Sequence, residues 1–300
     1  MDQGTMSTPD TLHVALFGGG RRPTDRPLIA ELWQYLQRGE AEGVFKLYLH
    51  NSLAYLGKAP VFDRDLPAGI DVLLSLGGDG TLLDTLPLVR DSGVKVLGVN
   101  MGSLGFLSGV DRPEIARLAE ALRSRLYVEE KRSVLEIETE RPNQLPFPYA
   151  LNEAVVFKCD TASLISVQVR VGGHLLNVYH GDGVIFSTAT GSTAYSLSCG
   201  GPILSPGMDA FLITPIASHT LTVRPVVLPC DEDLEVEVAA QTSGFRLSLD
   251  SEIRRFDGPL RFHIRLAPFK LNTLRLHGHS FFETLRQKLM WGADGRQPAE

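Results

Sequence analysis

The sequence Ile70-Asp71-Val72-Leu73-Leu74-Ser75-Leu76-Gly77-Gly78-Asp79-Gly80-Thr81 joins an apolar segment directly to a glycine-rich turn. The apolar part predicts a buried strand, and residues 81–86 can open a helix. Glycine lets the backbone turn sharply and approach a ligand without a clash at Cβ. The start of a helix adds free amide groups and the positive end of a dipole, which suit phosphate oxygens. The stretch therefore predicts a strand–turn–helix unit that binds phosphate.

A carboxylate in the middle of this turn indicates more than anion binding. Asp79 places a negative charge where phosphate would lie, which is costly if the loop only binds an anion. Its presence is explained if it orients an attacking hydroxyl group beside the phosphate, or takes the proton from that group. The combination predicts a phosphotransferase.

Strands and helices alternate around this unit through the first 125 residues. Apolar runs predict strands at residues 12–17, 44–49, 71–76 and 95–99. Helices are predicted at residues 28–37, with Gly39 as the stop, and at residues 113–125, with Asp111 as the cap and Pro113 in the first turn. Such a βαβα pattern predicts a mostly parallel sheet with helices on both faces.

The pattern of polar and apolar residues changes near Tyr127. Alternating polar and apolar residues predict strands at 134–139, 164–171, 175–179, 184–187, 234–238, 245–249 and 260–266. Gly172-Gly173, between two of these segments, predicts a hairpin turn. Helix signals are nearly absent until an amphipathic segment at residues 281–289, which is expected to pack back on the first domain. This half therefore predicts an antiparallel, β-rich domain of sandwich-like form.

The predicted organisation has two domains, since 300 residues suffice for two cores. A Rossmann-like α/β domain that binds phosphate would comprise residues 11–126 and 280–292. A β-rich domain would comprise residues 127–279. The termini, residues 1–10 and 293–300, are expected to be flexible.

Composition argues against several classes of function. The chain is 43% hydrophobic and 21% charged with a net charge of −6, so the basic footprint of a nucleic-acid-binding protein is missing. No apolar run approaches the roughly 20 residues that span a bilayer, so no membrane partner is expected. Three widely spaced cysteines, and a start without an apolar signal core, predict a reduced, cytoplasmic protein.

A second informative segment, residues 181–202, leaves a strand and enters a turn rich in hydroxyl groups. It contains Gly181-Asp182-Gly183, then Thr190-Gly191-Ser192-Thr193-Ala194-Tyr195-Ser196-Leu197-Ser198, and then Gly200-Gly201-Pro202. Small hydroxyl side chains and bare amides can bind a nucleotide base or a ribose. The alternative is a surface loop rich in serine, threonine and glycine. Serine hydrolase chemistry is disfavoured, because neither Gly-x-Ser-x-Gly nor Ser-x-x-Lys is present.

Other nucleotide and metal motifs are incomplete. Gly18-Gly19-Gly20 lacks the rest of a dinucleotide fingerprint and predicts a tight turn, or, with Arg21 and Arg22, further phosphate contacts. Asn152-Glu153 is either a strand edge or a pair of hydrogen-bonding partners for ribose hydroxyls. His277-Gly278-His279 has metal-like spacing without an accompanying cluster, so no metal-binding residues are predicted.

Taken together, these motifs resemble those of the NAD kinase family. The matching segments are residues 77–81, 151–153, 182–183, 190–196, 200–203, 219–221, 224–225 and 285–289, and the similarity extends from about residue 12 to residue 291. The glycine loop alone also occurs in phosphofructokinases and in diacylglycerol and sphingoid lipid kinases. The long segment of serine, threonine, glycine and tyrosine is specific to NAD kinases.

The resemblance implies phosphoryl transfer from ATP, or another phosphoryl donor, to the 2′-hydroxyl of the adenosine ribose of NAD, which gives NADP. A divalent cation, with Mg²⁺ expected, would accompany the donor. Asp79 would be the general base, and the backbone of Gly77, Gly78, Gly80 and Thr81 would hold the donor phosphates. The NAD-binding set implied by the resemblance is Asp79, Gly80, Asn152, Glu153, His180, Asp182, Thr193, Ala194, Tyr195, Ser196, Leu197 and Ser198.

The family fold is an α/β domain plus a β-rich domain with the site in the cleft, and its members are usually homo-oligomers, so a homodimer or homotetramer is expected. His180 departs from the family pattern, in which arginine or a small residue precedes Gly-Asp at a position linked to the choice between NAD and NADH. Two alternatives stay open. A lipid or sugar kinase sharing the loop would have no reason for the segment at 190–195, and a non-catalytic NAD-binding regulator would have little need of Asp79.

Overall fold

The structure, a computed structural model, describes residues 11–18, 25–102, 105–110, 114–141, 143–160, 164–240 and 244–291. Contacts within the chain divide it into two compact units. Unit 1 comprises Met1–Glu130 and Asn272–Glu300, and unit 2 comprises Lys131–Leu271. The termini predicted to be flexible lie outside the described residues, as do Gly19, Gly20, Arg21 and Arg22.

Unit 1 opens with alternating strands and helices. Its elements are β1 (Leu12–Gly18), α1 (Arg26–Ala41), β2 (Phe45–His50), a 3-10 turn at Asn51–Leu56, β3 (Val61–Phe62), β4 (Val72–Gly77), α2 (Asp79–Leu83), α3 (Leu86–Val89), β5 (Lys95–Asn100) and α4 (Ile115–Arg123). The strands are parallel and lie in the order β3-β2-β1-β4-β5. This is the strand order of a Rossmann-like unit, so the predicted parallel α/β architecture is confirmed.

The core of unit 1 explains why these strands form. Val14 in β1 lies opposite Leu47 in β2 and Val72 in β4, and all three side chains are fully buried. Helix α1 adds an apolar stripe to the same cluster, in which Leu32 and Leu36 are fully buried. Near-continuous apolar runs are typical of parallel strands, which are covered on both faces.

Three helix predictions differ from the structure. Helix α1 continues past Gly39 to Ala41. A Cβ at Gly39 would collide with the ring of Phe45, so this glycine permits close packing and does not end the helix. The helix predicted after the glycine loop is two short helices, broken before Pro87, which cannot continue an α-helical ladder. Helix α4 has Glu114 as its N-cap without a side-chain capping bond, and the predicted Asp111 and Pro113 lie outside the described residues.

The described part of unit 2 is built of strands, apart from one short helix and a 3-10 turn. The next elements are β6 (Tyr127–Thr139), β7 (Tyr149–Ala150), β8 (Glu153–Lys158), β9 (Ile165–Val171), β10 (His174–Gly181), β11 (Gly183–Ser187), a 3-10 turn at Thr190–Thr193, α5 (Tyr195–Ser198), β12 (Ala210–Ile216), β13 (Val226–Pro229), β14 (Leu234–Ala240), β15 (Phe245–Leu249), β16 (Glu252–Phe256) and β17 (Leu260–Leu276). The chain then re-enters unit 1 and ends its described part with α6 (Phe281–Leu289).

The strands of unit 2 form two antiparallel layers. One has the order β10-β9-β14-β17, and the other is the six-stranded sheet β13-β12-β11-β8-β15-β16. Both contribute to one apolar cluster that includes Val167, Phe186 and Phe262. Gly172 and Gly173 both have positive φ angles, as a tight hairpin turn between β9 and β10 requires. The predicted antiparallel, sandwich-like architecture is therefore confirmed.

Candidate active site

The glycine loop of unit 1 leaves its backbone open at two positions. Strand β4 ends at Gly77, Gly78 is the N-cap, and α2 begins at Asp79. A Cβ added at Gly77 would collide with the Thr81 side chain, whereas one added at Gly78 or Gly80 would meet nothing within 4 Å. Gly77 therefore serves the turn, and the exposed Gly78 and Gly80 let a ligand approach the main chain.

This loop lies at the carboxyl end of a central parallel strand. Strands β1 and β4 are neighbours in the order β3-β2-β1-β4-β5. After β1 the chain continues toward one edge of the sheet, and after β4 it continues toward the other edge, so the strand order reverses between these two strands. Open parallel sheets bind ligands in the crevice at such a point. Gly18, at the end of β1, has a φ of 85°, and a Cβ there would collide with the Thr81 methyl group, so the two loops are adjacent.

The Asp79 carboxylate is held in place by main-chain amides. Phe106 donates its N–H to Oδ2 over 2.9 Å, and Leu107 donates its N–H to Oδ1 over 3.1 Å. A Cβ at Gly105 would collide with Oδ1, so only glycine leaves room for the carboxylate. The side chain stays partly exposed. The fold therefore presents a fixed carboxylate beside an open main-chain loop.

A lysine from the last helix completes the surroundings of this carboxylate. Lys288 Nζ lies 3.7 Å from Asp79 Oδ2 and 4.4 Å from the centroid of the Phe106 ring. The resemblance between residues 285–289 and the family motif was a sequence signal for this helix, but sequence reasoning assigned Lys288 no role.

In unit 2, a second aspartate fixes the candidate NAD-binding residues. Asp250 accepts hydrogen bonds from the amides of Leu151, Asn152 and Glu153, over 2.7, 2.8 and 3.1 Å. Asp250 itself has a φ of 49°, a conformation that aspartate tolerates better than most residues. The sequence did not predict this structural role of Asp250. The only sign of it in the sequence is an acidic residue at the turn between β15 and β16.

Glu153 has an unusual environment for an acid. Burial, and then the charge of Asp250, raise the pKa of Glu153 to about 8. Among the buried side-chain atoms of the described residues, Glu153 Oε2 and Thr190 Oγ1 are two that have no hydrogen-bonding partner. Leaving a buried polar atom unpaired costs about 1–3 kcal/mol, so such atoms are typical of a site that a ligand completes.

The predicted residues Tyr195 and Asp182 share this neighbourhood. Burial is the largest cause that raises the pKa of Tyr195, and Cys199, Asp182 and Glu153 each raise it further. Asp182 is paired with Lys158, with 2.6 Å between Nζ and Oδ1. Unit 2 therefore brings Asn152, Glu153, Asp182 and Tyr195 together.

The hydroxyl-rich segment uses part of its hydroxyls internally. Ser196 is fully buried and bonds Thr214 over 2.7 Å, so its side chain serves the fold. Thr193 donates to the carbonyl oxygen of Thr190. Tyr195 and Ser198 are exposed, and Ala194 and Leu197 are half-buried. Of this predicted set, Tyr195 and Ser198 are the side chains most open to a ligand.

Two histidines singled out in the sequence, His180 and His279, lie in different units. His180 lies on β10 with an exposed side chain, and its carbonyl oxygen accepts the amide of His219. His279 Nε2 lies 2.6 Å from Glu114 Oε2, as part of a contact within unit 1. Over the described part of the chain, no group of three or more histidine, cysteine, aspartate or glutamate side chains could hold a metal ion.

These features define a class of protein. A Rossmann-like strand order, an open glycine loop at its switch point and a fixed carboxylate in that loop are the parts of a small-molecule kinase, in which catalysis depends on positioning and charge. The β-rich unit places together a partly buried acid with a raised pKa, Glu153, a buried amide, Asn152, and an exposed tyrosine, Tyr195.

Comparison with known proteins identifies the family. Models of the ATP-NAD kinase N-terminal and C-terminal domains match residues 46–127 and 151–275. The NAD kinase of Flavobacterium psychrophilum is 36% identical over 295 residues, which cover 95% of this chain and all of that protein. The NAD kinase of Porphyromonas gingivalis is 43% identical over 228 residues, 76% of this chain and 78% of that protein. The chain therefore belongs to the NAD kinase family and is an enzyme that phosphorylates NAD.

Solved structures agree on the fold. A crystal structure of yeast NADH kinase complexed with NADH superposes with a TM-score of 0.83 at 22% identity, covering 97% of this chain and 91% of the other. An NAD kinase from Archaeoglobus fulgidus in complex with ATP superposes with a TM-score of 0.70 at 23% identity, covering 93% and 98%. No helix in the described ranges is long and apolar enough to cross a membrane.

Proposed function

We propose that the chain transfers the terminal phosphoryl group of ATP to the 2′-hydroxyl of the adenosine ribose of NAD, yielding NADP and ADP. The observation that carries the proposal is the Asp79 carboxylate, fixed by two amides beside an open main-chain loop. A similar archaeal NAD kinase was solved with ATP, which favours ATP over other donors. Family membership argues against a lipid or sugar kinase and against a non-catalytic regulator.

In this mechanism Asp79 acts as the general base. The ribose oxygen forms a bond to the terminal phosphorus, the bond from that phosphorus to the bridging oxygen of ADP breaks, and the hydroxyl proton moves to the Asp79 carboxylate. The two amides hold the carboxylate so that its partly exposed edge can meet the hydroxyl. The open main chain of Gly78 and Gly80, with Gly77 and Thr81 shaping the turn, receives the donor phosphates.

The residues of unit 2 hold NAD. Asn152 and Glu153 are fixed by Asp250, and they offer an amide and an acid to the ribose hydroxyls and the base. Tyr195 offers a ring face and a phenol, and Asp182 a further acceptor. The other residues of the segment 193–198 are also proposed to contact NAD. His180, near the end of β10, is the proposed determinant of the choice between NAD and NADH.

A divalent cation would be bound together with the donor. Mg²⁺ is usually held by substrate phosphates with one or two carboxylates rather than by a protein cage, and the partly exposed Asp79 carboxylate beside the open loop fits that arrangement. Asp79 is the carboxylate of this loop that such an ion would meet. When bound, Mg²⁺ would neutralise charge on the transferring phosphoryl group.

We also propose a homo-oligomer, a homodimer or homotetramer, in the cytoplasm. The three cysteines are all free, which suits a reducing compartment. Sedimentation of the purified chain measures the oligomer, and fractionation of cells expressing it measures the location.

The decisive experiment incubates purified chain with ATP, Mg²⁺ and NAD and follows NADP. Asp79→Asn should lower turnover by about 10²–10⁴-fold, the usual scale for loss of a general base, while calorimetric titration shows NAD affinity largely retained. A carboxamide can accept only one of the two amides, so the melting temperature is recorded to separate misfolding from lost chemistry. Turnover near that of the parent chain in this variant would exclude Asp79 as the base.

A further inference from the structure

Lys288 is carried to the glycine loop by a well-formed helix. Helix α6 begins with a capping box, in which Ser280 Oγ accepts the amide of Glu283 and Glu283 Oε2 accepts the amide of Ser280. Leu285 is buried and anchors the helix in unit 1. Lys288 lies in the last turn, and its side chain is about one third exposed, 34%. The position of its ammonium group is therefore set by a stable element and open to solvent.

The ammonium group is held loosely by the candidate base. It lies 3.7 Å from Asp79 Oδ2, beyond the 2.7–3.2 Å range of a direct N–H···O hydrogen bond. Two other lysine–aspartate pairs, Lys158–Asp182 and Lys270–Asp209, are in direct contact at 2.6 Å. The ammonium group also lies over the face of the Phe106 ring, with 4.4 Å between Nζ and the centroid, which adds a cation–π interaction. A cation held in this way can move to a stronger anion without breaking a direct hydrogen bond.

The loop needs such a cation when it binds a phosphoryl donor. The open main chain at Gly78 and Gly80 supplies neutral amides, while Asp79 adds a negative charge that repels phosphate oxygens. Lysine acts as a point charge toward phosphate, on a flexible stem with three donors. Lys288 is already within ion-pair distance of the carboxylate beside which the phosphate must lie.

We propose that Lys288 is a phosphate-binding residue that moves from Asp79 to the terminal phosphate of the donor. This inference rests on the proposed function. In the free protein the ammonium group neutralises the Asp79 carboxylate. With the donor bound, it donates hydrogen bonds to oxygens of the terminal phosphate, which stay bonded to phosphorus throughout. The ribose proton still goes to Asp79, and Lys288 neither gains nor loses a proton.

The test measures nucleotide binding without turnover. Titration calorimetry with Mg²⁺ compares adenosine 5′-(β,γ-imido)triphosphate with ADP on the full chain. Lys288→Met should weaken the triphosphate analogue about 10–100-fold, the scale of one lost hydrogen bond between charged groups, and leave ADP within about twofold. Lys288→Arg should restore much of the triphosphate affinity. Equal losses for both nucleotides, or none for either, would overturn the inference.

The control and the activity assay separate this inference from the proposed function. Arg286→Met removes a cation from an exposed position of the same helix, two residues away and on a different face, so both affinities should be kept. In turnover assays, Lys288→Met should raise KM for ATP and lower kcat, while KM for NAD stays near its starting value. If the parent chain makes no NADP but loses triphosphate affinity selectively in Lys288→Met, the proposed acceptor is wrong and the lysine assignment holds.

Discussion

Two aspartates perform a similar structural task, one in each unit. Asp79 accepts two main-chain amides and Asp250 accepts three. Asp250 uses both oxygens to fix the chain at Leu151 and Glu153. Asp79 keeps a partly exposed edge with a loosely placed lysine beside it, so it can still meet a substrate. The open main-chain loop beside Asp79 separates this candidate base from Asp250, a positioning carboxylate.

Sequence could predict Asp79 but not its partners, for a physical reason. The loop around Asp79 is a local motif in which the conformation is specified by adjacent glycines. The bonds from Leu151 to Asp250 and from Leu107 to Asp79 join residues separated by 99 and 28 positions. Such contacts depend on strand order and register, which local periodicity does not encode.

The raised pKa of Glu153 predicts a pH-dependent stability. With the pKa near 8 in the folded protein and 4.5 in the unfolded chain, the folded state holds the proton more tightly. The resulting stabilisation is fully present below pH 4.5 and is lost as the pH rises toward 8, amounting to at most about 5 kcal/mol. Of the nearby acidic groups, Asp250 opposes ionisation of Glu153, and Glu153 in turn opposes ionisation of Tyr195.

The measurement compares melting temperatures at pH 6 and pH 9. Glu153→Gln mimics the neutral acid, so it should melt close to the parent chain at pH 6 and several degrees above it at pH 9. The matched control is Glu136→Gln, which breaks the ion pair with Arg265 in the same unit and should lower the melting temperature at both pH values. If Glu153→Gln melts below the parent chain at pH 9, the ionised acid stabilises the fold and the assignment of a raised pKa to Glu153 is wrong.

At the scale of elements, the well-predicted ones are those with a strong local pattern. Strands β1, β2, β4 and β5 start and end within one residue of the apolar runs that predicted them, and β15 and α6 match their predicted ranges. The weaker predictions involve tertiary contacts. Gly39 was expected to end α1, but the ring of Phe45 makes it a packing residue.

The capping box of helix α6 is predicted to stabilise that helix. Ser280→Ala removes the side-chain half of the capping box, which should weaken α6 by about 1 kcal/mol. Amide hydrogen exchange in residues 281–289 should then become about fivefold faster, by conversion of that free energy. Because α6 positions Lys288, affinity for the triphosphate analogue should fall with it, and affinity for ADP should not.

The same helix supplies the control. Thr284→Ala removes a hydroxyl that only bonds back to the carbonyl oxygen of Ser280, over 3.3 Å, and should leave exchange nearly unchanged or slower. Equal acceleration in both variants would mean that the capping box contributes nothing specific to α6.

At the scale of the whole molecule, sequence predicted the change from a parallel α/β unit to an antiparallel sandwich. The hydrophobic pattern indicates this change, because parallel strands are buried on both faces and are apolar throughout, whereas apolar and polar residues alternate along antiparallel strands with one buried face. Strand order in the sandwich was not predictable, since β8 lies between β11 and β15, which are distant in sequence. Short or proline-containing strands such as β3 and β12 were also missed, because their local signals are weak.

The division of binding tasks predicts where each ligand protects the chain. If unit 1 holds the donor phosphates, the triphosphate analogue with Mg²⁺ should slow amide exchange at residues 77–81, where Gly78 and Gly80 are exposed without ligand. If unit 2 holds NAD, NAD alone should slow exchange at residues 190–198. A ligand at 100 times its Kd stabilises the bound form by about 2.7 kcal/mol, so protection can reach about 100-fold where opening requires release. Each ligand serves as the control for the other, and NAD protecting only residues 77–81 would reverse the assignment of donor and acceptor.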